Sequence, residues 1–403
     1  MTHPHIMYGS PVSLYSGKLR SYLRKKALPF EERLPAHPAF ARDIVPAVGR
    51  VVLPVLVAPE GDVLQDTTEI IDVLEDRHPE PALVPRDPAL KTVARILELY
   101  GDEGLLRPAM HYRWNFPDAN DHFISLEFAR MGAPATPDDQ ADTVAAPLKA
   151  RMSGLLPYLG ITADTIPGIE GRYHELLGLL DRHFADHPYL LGLRPTIADF
   201  GFIGPLYAHL GRDPHPAALM QRQAHRVWRW VERMMAPEWT APEFPEHTFA
   251  GPAPSASSSP SSGQAYGEDG LFRPAALPET LKDLLKMMSR EHAPELAACV
   301  AFLDDHVRTT HPADGAAVLG DSGKRTLGRI RFHIDGTPYE AAVRQYAVWM
   351  LNRAQDSLAA LPEKERAALS RILEETGLSD LLGKCPPWRI ERHAYREIWH
   401  ILS

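Results

Sequence analysis

Short apolar runs and amphipathic stretches alternate over the first 85 residues of the chain. Residues 5–8 are strand-like, and residues 16–26 carry Leu19, Tyr22 and Leu23 on one helical face. Residues 30–34 alternate as a strand. Residues 51–57 are β-branched and apolar, as in a buried strand, with Pro54 inside the run. Pro59-Glu60-Gly61-Asp62 reads as a turn into Val63-Leu64-Gln65. Thr67 to Arg77 then repeats apolar positions at helical spacing, with Ile70, Val73 and Leu74 inward. The order β-α-β followed by β-β-α predicts a small α/β layer over residues 1–85. From 88 to 237 the pattern turns helical, as at 93–100, 173–183 and 224–235. No strand interrupts it, which predicts a second, all-α domain.

The pattern then stops and restarts. Residues 241–275 contain a run from Gly251 to Gly263 built wholly of Gly, Pro, Ala and Ser, which has no apolar area to bury. They are predicted to be a flexible linker. Residues 276–403 regain helical periodicity at 278–290, 295–307, 339–361 and 363–377. One hairpin-like element lies where residues 330–334 meet Asp335-Gly336. A mainly helical C-terminal extension follows from this.

Composition narrows the function classes. At 403 residues the chain exceeds what one core usually serves. Its formal charge of −9 argues against a nucleic-acid or anionic-membrane binder. No apolar run reaches the roughly 18 residues of a membrane span, and the first residues lack a signal-peptide pattern. The 2 cysteines, Cys299 and Cys385, exclude a disulfide framework and a cysteine-based zinc site, and they suit a reducing, cytoplasmic setting. The histidines show no H-E-x-x-H spacing, so no metal is expected. Gly320 to Thr326 hints at a phosphate loop, but Val318 stands where its first glycine is required, and a tight turn is expected instead.

Four short motifs can carry chemistry. Ser13 follows the turn Gly9-Ser10-Pro11 where a helix begins, so its hydroxyl can cap that helix or donate to an anion above it. Ser16, Tyr15 and Tyr8 offer alternative hydroxyls nearby. Pro54 removes a ladder hydrogen bond, which fits an edge strand; a cis Leu53–Pro54 bond, turning the Leu53 backbone outward, is the other explanation. Asp66-Thr67 stands where strand gives way to helix, either as a plain cap or as a site for a ligand carboxylate on Thr67 and an ammonium on Asp66. Thr196-Ile197-Ala198-Asp199 has the spacing of a capping box, and both Thr196 and Asp199 read as structural.

Taken in register, these motifs resemble the glutathione transferase superfamily over residues 5–237. Residues 15–26 with Arg107-Pro108-Ala109-Met110-His111-Tyr112-Arg113-Trp114 are similar to a bacterial group within it. The resemblance implies a thioredoxin-like N-terminal domain, an all-α C-terminal domain and, in this chain, a further extension that lies beyond the usual transferase length. It implies glutathione as co-substrate and a small electrophile as partner, in a cytoplasmic homodimer with no nucleic acid, membrane or metal.

By the same resemblance Ser13, five positions before Lys18, matches the hydroxyl that donates to the glutathione thiolate in serine-type members. Leu53 matches the backbone that pairs with the cysteinyl part, Asp66 and Thr67 match the γ-glutamyl site, and Arg50 meets the glycine carboxylate. Tyr112, Arg113 and Trp114 are candidates for the electrophile pocket. A thiolate formed at neutral pH attacks an electrophile, and a helix N-terminus with a donated hydrogen bond favours that thiolate. No cysteine stands at Ser13 or anywhere before residue 299, which disfavours thiol–disulfide exchange. The expected function is therefore conjugation of glutathione to a small electrophile. The alternatives are a non-catalytic scaffold whose extension binds a partner, and glutathione-dependent peroxide reduction.

Overall fold

The computed structural model describes residues 3–245, 266–320 and 326–402. Four strands, β1 (His5–Tyr8), β2 (Phe30–Arg33), β3 (Val55–Val57) and β4 (Val63–Gln65), form a sheet in the order β2-β1-β3-β4. β1 and β2 are parallel, while β3 runs antiparallel to both of its neighbours. Helices α1 (Leu14–Lys25), the short α2 (Val45–Val48) and α3 (Thr67–Arg77) complete a thioredoxin-like layer. The strand predicted at 51–57 is shorter than expected, and it lies inside the sheet rather than at its edge. Leu53–Pro54 is cis, and the ladder begins at Val55 opposite Tyr8, so the proline's missing N–H removes no ladder bond.

The all-α region runs through α4 (Pro88–Leu99), α5 (Leu106–Trp114), α6 (Pro117–Gly132), α7 (Ala141–Ser153), α8 (Ile166–Asp186), α9 (Ile197–Ala208), α10 (Pro214–Gln223) and α11 (His225–Met235). A π-helical turn, Tyr100–Gly104, joins α4 to α5. Here two helices meet backbone to backbone. A Cβ on Gly101 would lie 2.5 Å from the Gly201 carbonyl carbon, and one on Gly201 would lie 2.7 Å from Glu98 Cα. Only glycine permits this crossing of α9 against the α4 end. The capping box is formed as expected: the Asp199 carboxylate accepts from Thr196 N and Leu190 N, both at 2.9 Å, and from Trp230 Nε1 at 3.3 Å.

The extension holds α12 (Glu279–Glu291), α13 (Ala293–Thr310), the hairpin β5 (Arg329–Ile334)–β6 (Thr337–Ala342), α14 (Gln345–Ala359), α15 (Glu363–Thr376), the short α16 (Ser379–Gly383) and a second hairpin, β7 (Trp388–His393)–β8 (Arg396–Ile401). It shares the main hydrophobic core with the rest of the molecule, which runs from Met7 and Leu56 through Phe200 and Trp230 to Trp349, Trp388 and Trp399. α14 lies against α4, and its Arg353 grips Asp72 of α3 through two bonds of 2.6 and 3.0 Å.

Three expectations change in this region. Residues 339–342 belong to β6, where Tyr339 and Ala341 point inward and Glu340 outward, so the helix predicted from 339 begins at Gln345. The β7–β8 hairpin has no counterpart among the elements the sequence pattern predicts. Tyr266, Leu271 and Phe272, inside the stretch read as a linker, are buried in the core, with Tyr266 bridged to Phe272 and Leu271 to Gly192. The run from Gly251 to Gly263 and most of the turn after Gly320 lie outside the described residues. Among the described residues no helix is long and apolar enough to cross a membrane.

Lys25, near the end of α1, is fully buried, and its ammonium donates to the Glu238 carbonyl. Burial, with the Arg233 guanidinium nearby, pushes its pKa down to about 7. In the unfolded chain lysine titrates near 10.4, so between these values the unfolded state binds the extra proton and stability rises with pH. The stability of the wild type relative to Lys25→Met should therefore increase from pH 7 to pH 9 in chemical unfolding. Parallel pH dependences would contradict this assignment.

Candidate functional site

A cavity of about 390 Å³ opens where the three parts of the chain meet. The sheet layer lines it with Tyr15, Arg50, Val52, Leu53, Pro54, Gln65, Asp66 and Thr67. Glu103 and Leu106 come from the π-turn and the start of α5, and Val343, Arg344, Tyr346 and Arg392 come from the extension. Six residues singled out in the sequence, Tyr15, Arg50, Leu53, Pro54, Asp66 and Thr67, are thus brought together.

Asp66 holds this end of the cavity in shape. It caps α3 with φ of 82°, an unusual value for a residue other than glycine, and its carboxylate accepts from Thr68 N at 3.1 Å and Glu69 N at 3.2 Å. The amide of Thr67, first in the helix, is not among those it takes. Gln65 Oε1 accepts from Arg50 Nη2 at 2.9 Å and from Arg392 Nη2 at 3.3 Å, so one side-chain oxygen ties a guanidinium of the sheet layer to one of the extension.

The hydroxyl candidates separate. Ser13 is the N-cap of α1, half-buried, with its Oγ accepting from Ser16 N at 3.3 Å; it does not line the cavity. An accepting hydroxyl keeps its own proton, so capping and donation are compatible. Ser16 is fully buried, and its Oγ accepts from Ser10 N. Tyr8 is buried against Phe40. Tyr15 lines the cavity, but its hydroxyl donates to Glu103 Oε1 at 3.0 Å. Burial, reinforced by Glu103, raises its pKa well above the ordinary phenol value, so it remains protonated and engaged.

Lys18 stands beneath the cavity, not in it. Its buried ammonium meets Asp102 Oδ2 at 2.5 Å, Glu98 Oε1 at 2.7 Å and Thr68 Oγ1 at 3.0 Å. Burial pushes the Asp102 carboxyl well above its usual range despite the lysine beside it. The chain of charges continues through Tyr15 to Glu103, whose carboxylate pairs with Arg344. That arginine also donates to the Glu103 carbonyl at 2.9 Å and approaches Glu295 at 3.7 Å. Glu295 in turn pairs with Arg107 at 2.5 Å.

The residues offered for an electrophile pocket lie elsewhere. Arg113 pairs with Asp213 at 2.7 and 2.9 Å and donates to the carbonyls of Val12 at 2.9 Å and Ala208 at 2.8 Å. It pins the loop that carries Ser13 and does not face the cavity. Tyr112 is core, stacked on Phe116, and Trp114 packs on Phe128. An arginine beside aromatic residues looks the same in sequence whether it faces a ligand or a buried carboxylate. The cavity wall comes instead from Arg344, Tyr346 and Arg392, some 280 to 330 positions beyond the sheet motifs. No signal in the sequence linked them to those motifs. Cys299 is buried, accepts from Arg344 N at 3.4 Å and has its pKa pushed up to about 12 by burial; Cys385 is exposed on another face. Neither lines the cavity. Among the described residues no group of three or more His, Cys, Asp or Glu side chains is placed to hold a metal ion.

Comparison with known proteins agrees with this layout at its N-terminal end. Residues 7–82 match the family model of the glutathione S-transferase N-terminal domain. No curated protein matches the chain. Among solved structures, a glutathione S-transferase from Methylobacterium radiotolerans, in complex with glutathione sulfonate, is 22% identical, covering 60% of this chain and 93% of its own with a TM-score of 0.35. The β-etherase LigF from Sphingobium is 19% identical, with coverage of 61% and 98% and a TM-score of 0.39. FzlA from C. crescentus is 20% identical, with coverage of 63% and 97% and a TM-score of 0.34.

Removing one member of a buried ion cluster leaves its partners without their counter-charge, at a cost of about 3–5 kcal/mol. Lys18→Met should lower unfolding stability by about that amount. A loss under about 1 kcal/mol, the range of an exposed pair, would show that Glu98 and Asp102 do not depend on it.

Proposed function

We propose that the chain is a glutathione transferase that binds glutathione in this cavity and directs its thiolate at a small electrophile. The observation that carries this reading is the convergence of Leu53, Asp66 and Thr67 on one cavity within a glutathione S-transferase N-terminal domain. An extended tripeptide needs a free backbone edge, and the ladder of β3 begins only after Leu53 and Pro54. Its amino-acid head needs a carboxylate for the ammonium and donors for the carboxylate, which Asp66 and Thr67 supply. Its thiol needs a site that favours the anion. The N-terminus of α1 provides the dipole, and Ser13 provides a hydroxyl whose proton is not used in capping.

The enzyme would contribute position, thiolate stabilisation and exclusion of water. Tyr15 and Glu103, already bonded to each other, would form the wall behind the reacting sulfur. The electrophile would meet Leu106, Val343 and Tyr346, which give that part of the cavity an apolar and aromatic surface.

A second reading, a glutathione transferase fold kept as a scaffold, is favoured by one observation: Ser13 does not line the cavity. Two measurements separate the readings. Calorimetry with wild-type protein should show glutathione binding below millimolar concentration; no binding at millimolar ligand would favour the scaffold. Ser13→Ala should keep that binding but raise the pH at which bound thiolate forms by about one unit, read from thiolate ultraviolet absorbance. Tyr15→Phe should leave the titration in place. An unchanged titration in Ser13→Ala would remove this serine from the mechanism.

A further inference from the structure

We propose that Arg392, on the C-terminal hairpin, binds the α-carboxylate of the γ-glutamyl head, so that the extension completes the glutathione subsite within a single chain. This rests on the reading of glutathione as ligand. An amino-acid head carries its ammonium and its carboxylate on one carbon. If Asp66 takes the ammonium, the carboxylate lies within a few ångströms of it and needs a cation there. Arg392 lines the cavity beside the residues that flank Asp66 and Thr67: its Nη2 donates to Gln65 Oε1 at 3.3 Å and its Nε to Glu69 Oε2 at 3.0 Å.

The guanidinium is fixed before any ligand arrives. Its Nη1 donates to Glu397 Oε1 at 2.5 Å, and the rings of Tyr346 and Trp349 flank it at 5.5 and 5.4 Å. Its side chain is 2% exposed. These three hydrogen bonds use three of the five N–H groups of an arginine. One remaining N–H on each terminal nitrogen can serve a ligand carboxylate, together with the Thr67 amide and hydroxyl. Glu69 and Glu397 orient the guanidinium, and no ordering of a long side chain is left to be done on binding.

The hairpin is built to reach this place. Its turn residues Ala394 and Tyr395 have φ of 46° and 66°, and the Tyr395 hydroxyl donates to the Val63 carbonyl at 2.8 Å, docking the tip on β4 next to Gln65. A guanidinium from residue 392 is thereby delivered to the start of α3, a position that no arginine of the first 85 residues other than Arg50 shares in the cavity lining.

The test is a double comparison by calorimetry. Wild type, Arg392→Met and Arg392→Lys are titrated with glutathione and with 4-aminobutyryl-cysteinylglycine, which lacks only the α-carboxylate. Wild type should prefer glutathione by about tenfold or more, the scale of one charge-assisted pair. Arg392→Met should lose most of that preference while binding the analogue within about twofold of wild type, and Arg392→Lys should fall between. Equal weakening of both ligands would mean that Arg392 only holds the hairpin in place, and unchanged glutathione affinity would mean that it makes no contact; either result overturns the proposal. Failure of the wild type to bind glutathione at millimolar concentration would overturn the glutathione reading itself. Thermal unfolding of each variant checks that the hairpin remains docked.

Discussion

The structure depends on a row of buried charges that passes through all three parts of the chain. Lys18 of α1 faces Glu98 and Asp102 of the helical region, and Glu103 of the same turn faces Arg344 of the extension. Beyond Arg344 the row continues through Glu295 to Arg107, back in the helical region. None of these groups can be left alone in a low-dielectric interior, because the cost of an unpaired buried ion runs to several kcal/mol. Each part therefore requires the others. The backbone crossing at Gly101 and Gly201, together with the π-turn beside it, puts successive carboxylates on the two sides needed: Asp102 turns to the lysine and Glu103 to the arginine.

This constraint explains where the cavity is. Tyr15 rests on Glu103, Arg344 rests on the other oxygen of the same carboxylate, and both line the cavity. The floor of the site is thus the surface of the charge row. The extension, held by that row and by Arg353 on Asp72, then walls the side that a two-domain arrangement would leave open. Walls from three parts of the chain lower the access of water and strengthen hydrogen bonds made inside the cavity.

Much of the N-terminal layer was legible in the sequence because its signals are local. The helix Thr67–Arg77 has a capping aspartate before it and lies where expected, with Ile70 and Leu74 buried as read, while Ile71 and not Val73 is the third buried apolar residue. The Asp335-Gly336 turn has the φ > 0 residues that a tight hairpin wants, with φ of 49° and 78°, and its hairpin was expected. The second hairpin turns through Ala394-Tyr395, residue types that do not announce a left-handed turn, and its place in the fold depends on the Tyr395 contact with Val63. Pro54 favours an edge strand over a cis Leu53–Pro54 bond on local grounds, and only the sheet order and the cis bond itself reverse that preference. Arg392 and Arg344 carry no local signal at all, because what makes them site residues is tertiary contact across some 300 positions. The cluster at Arg107 to Trp114 was informative in sequence, but about packing: Arg107 stacks on Phe332 and Tyr339 of the extension, and Arg113 holds the Ser13 loop.

The central claim is that the extension is part of the ligand site and not an appended domain. Hydrogen–deuterium exchange of the full chain, with and without saturating glutathione, tests it most directly. The account predicts that ligand slows exchange at residues 343–346 and 388–401 together with residues 50–67. Protection confined to residues 50–67, with the extension exchanging as in the free protein, would contradict it.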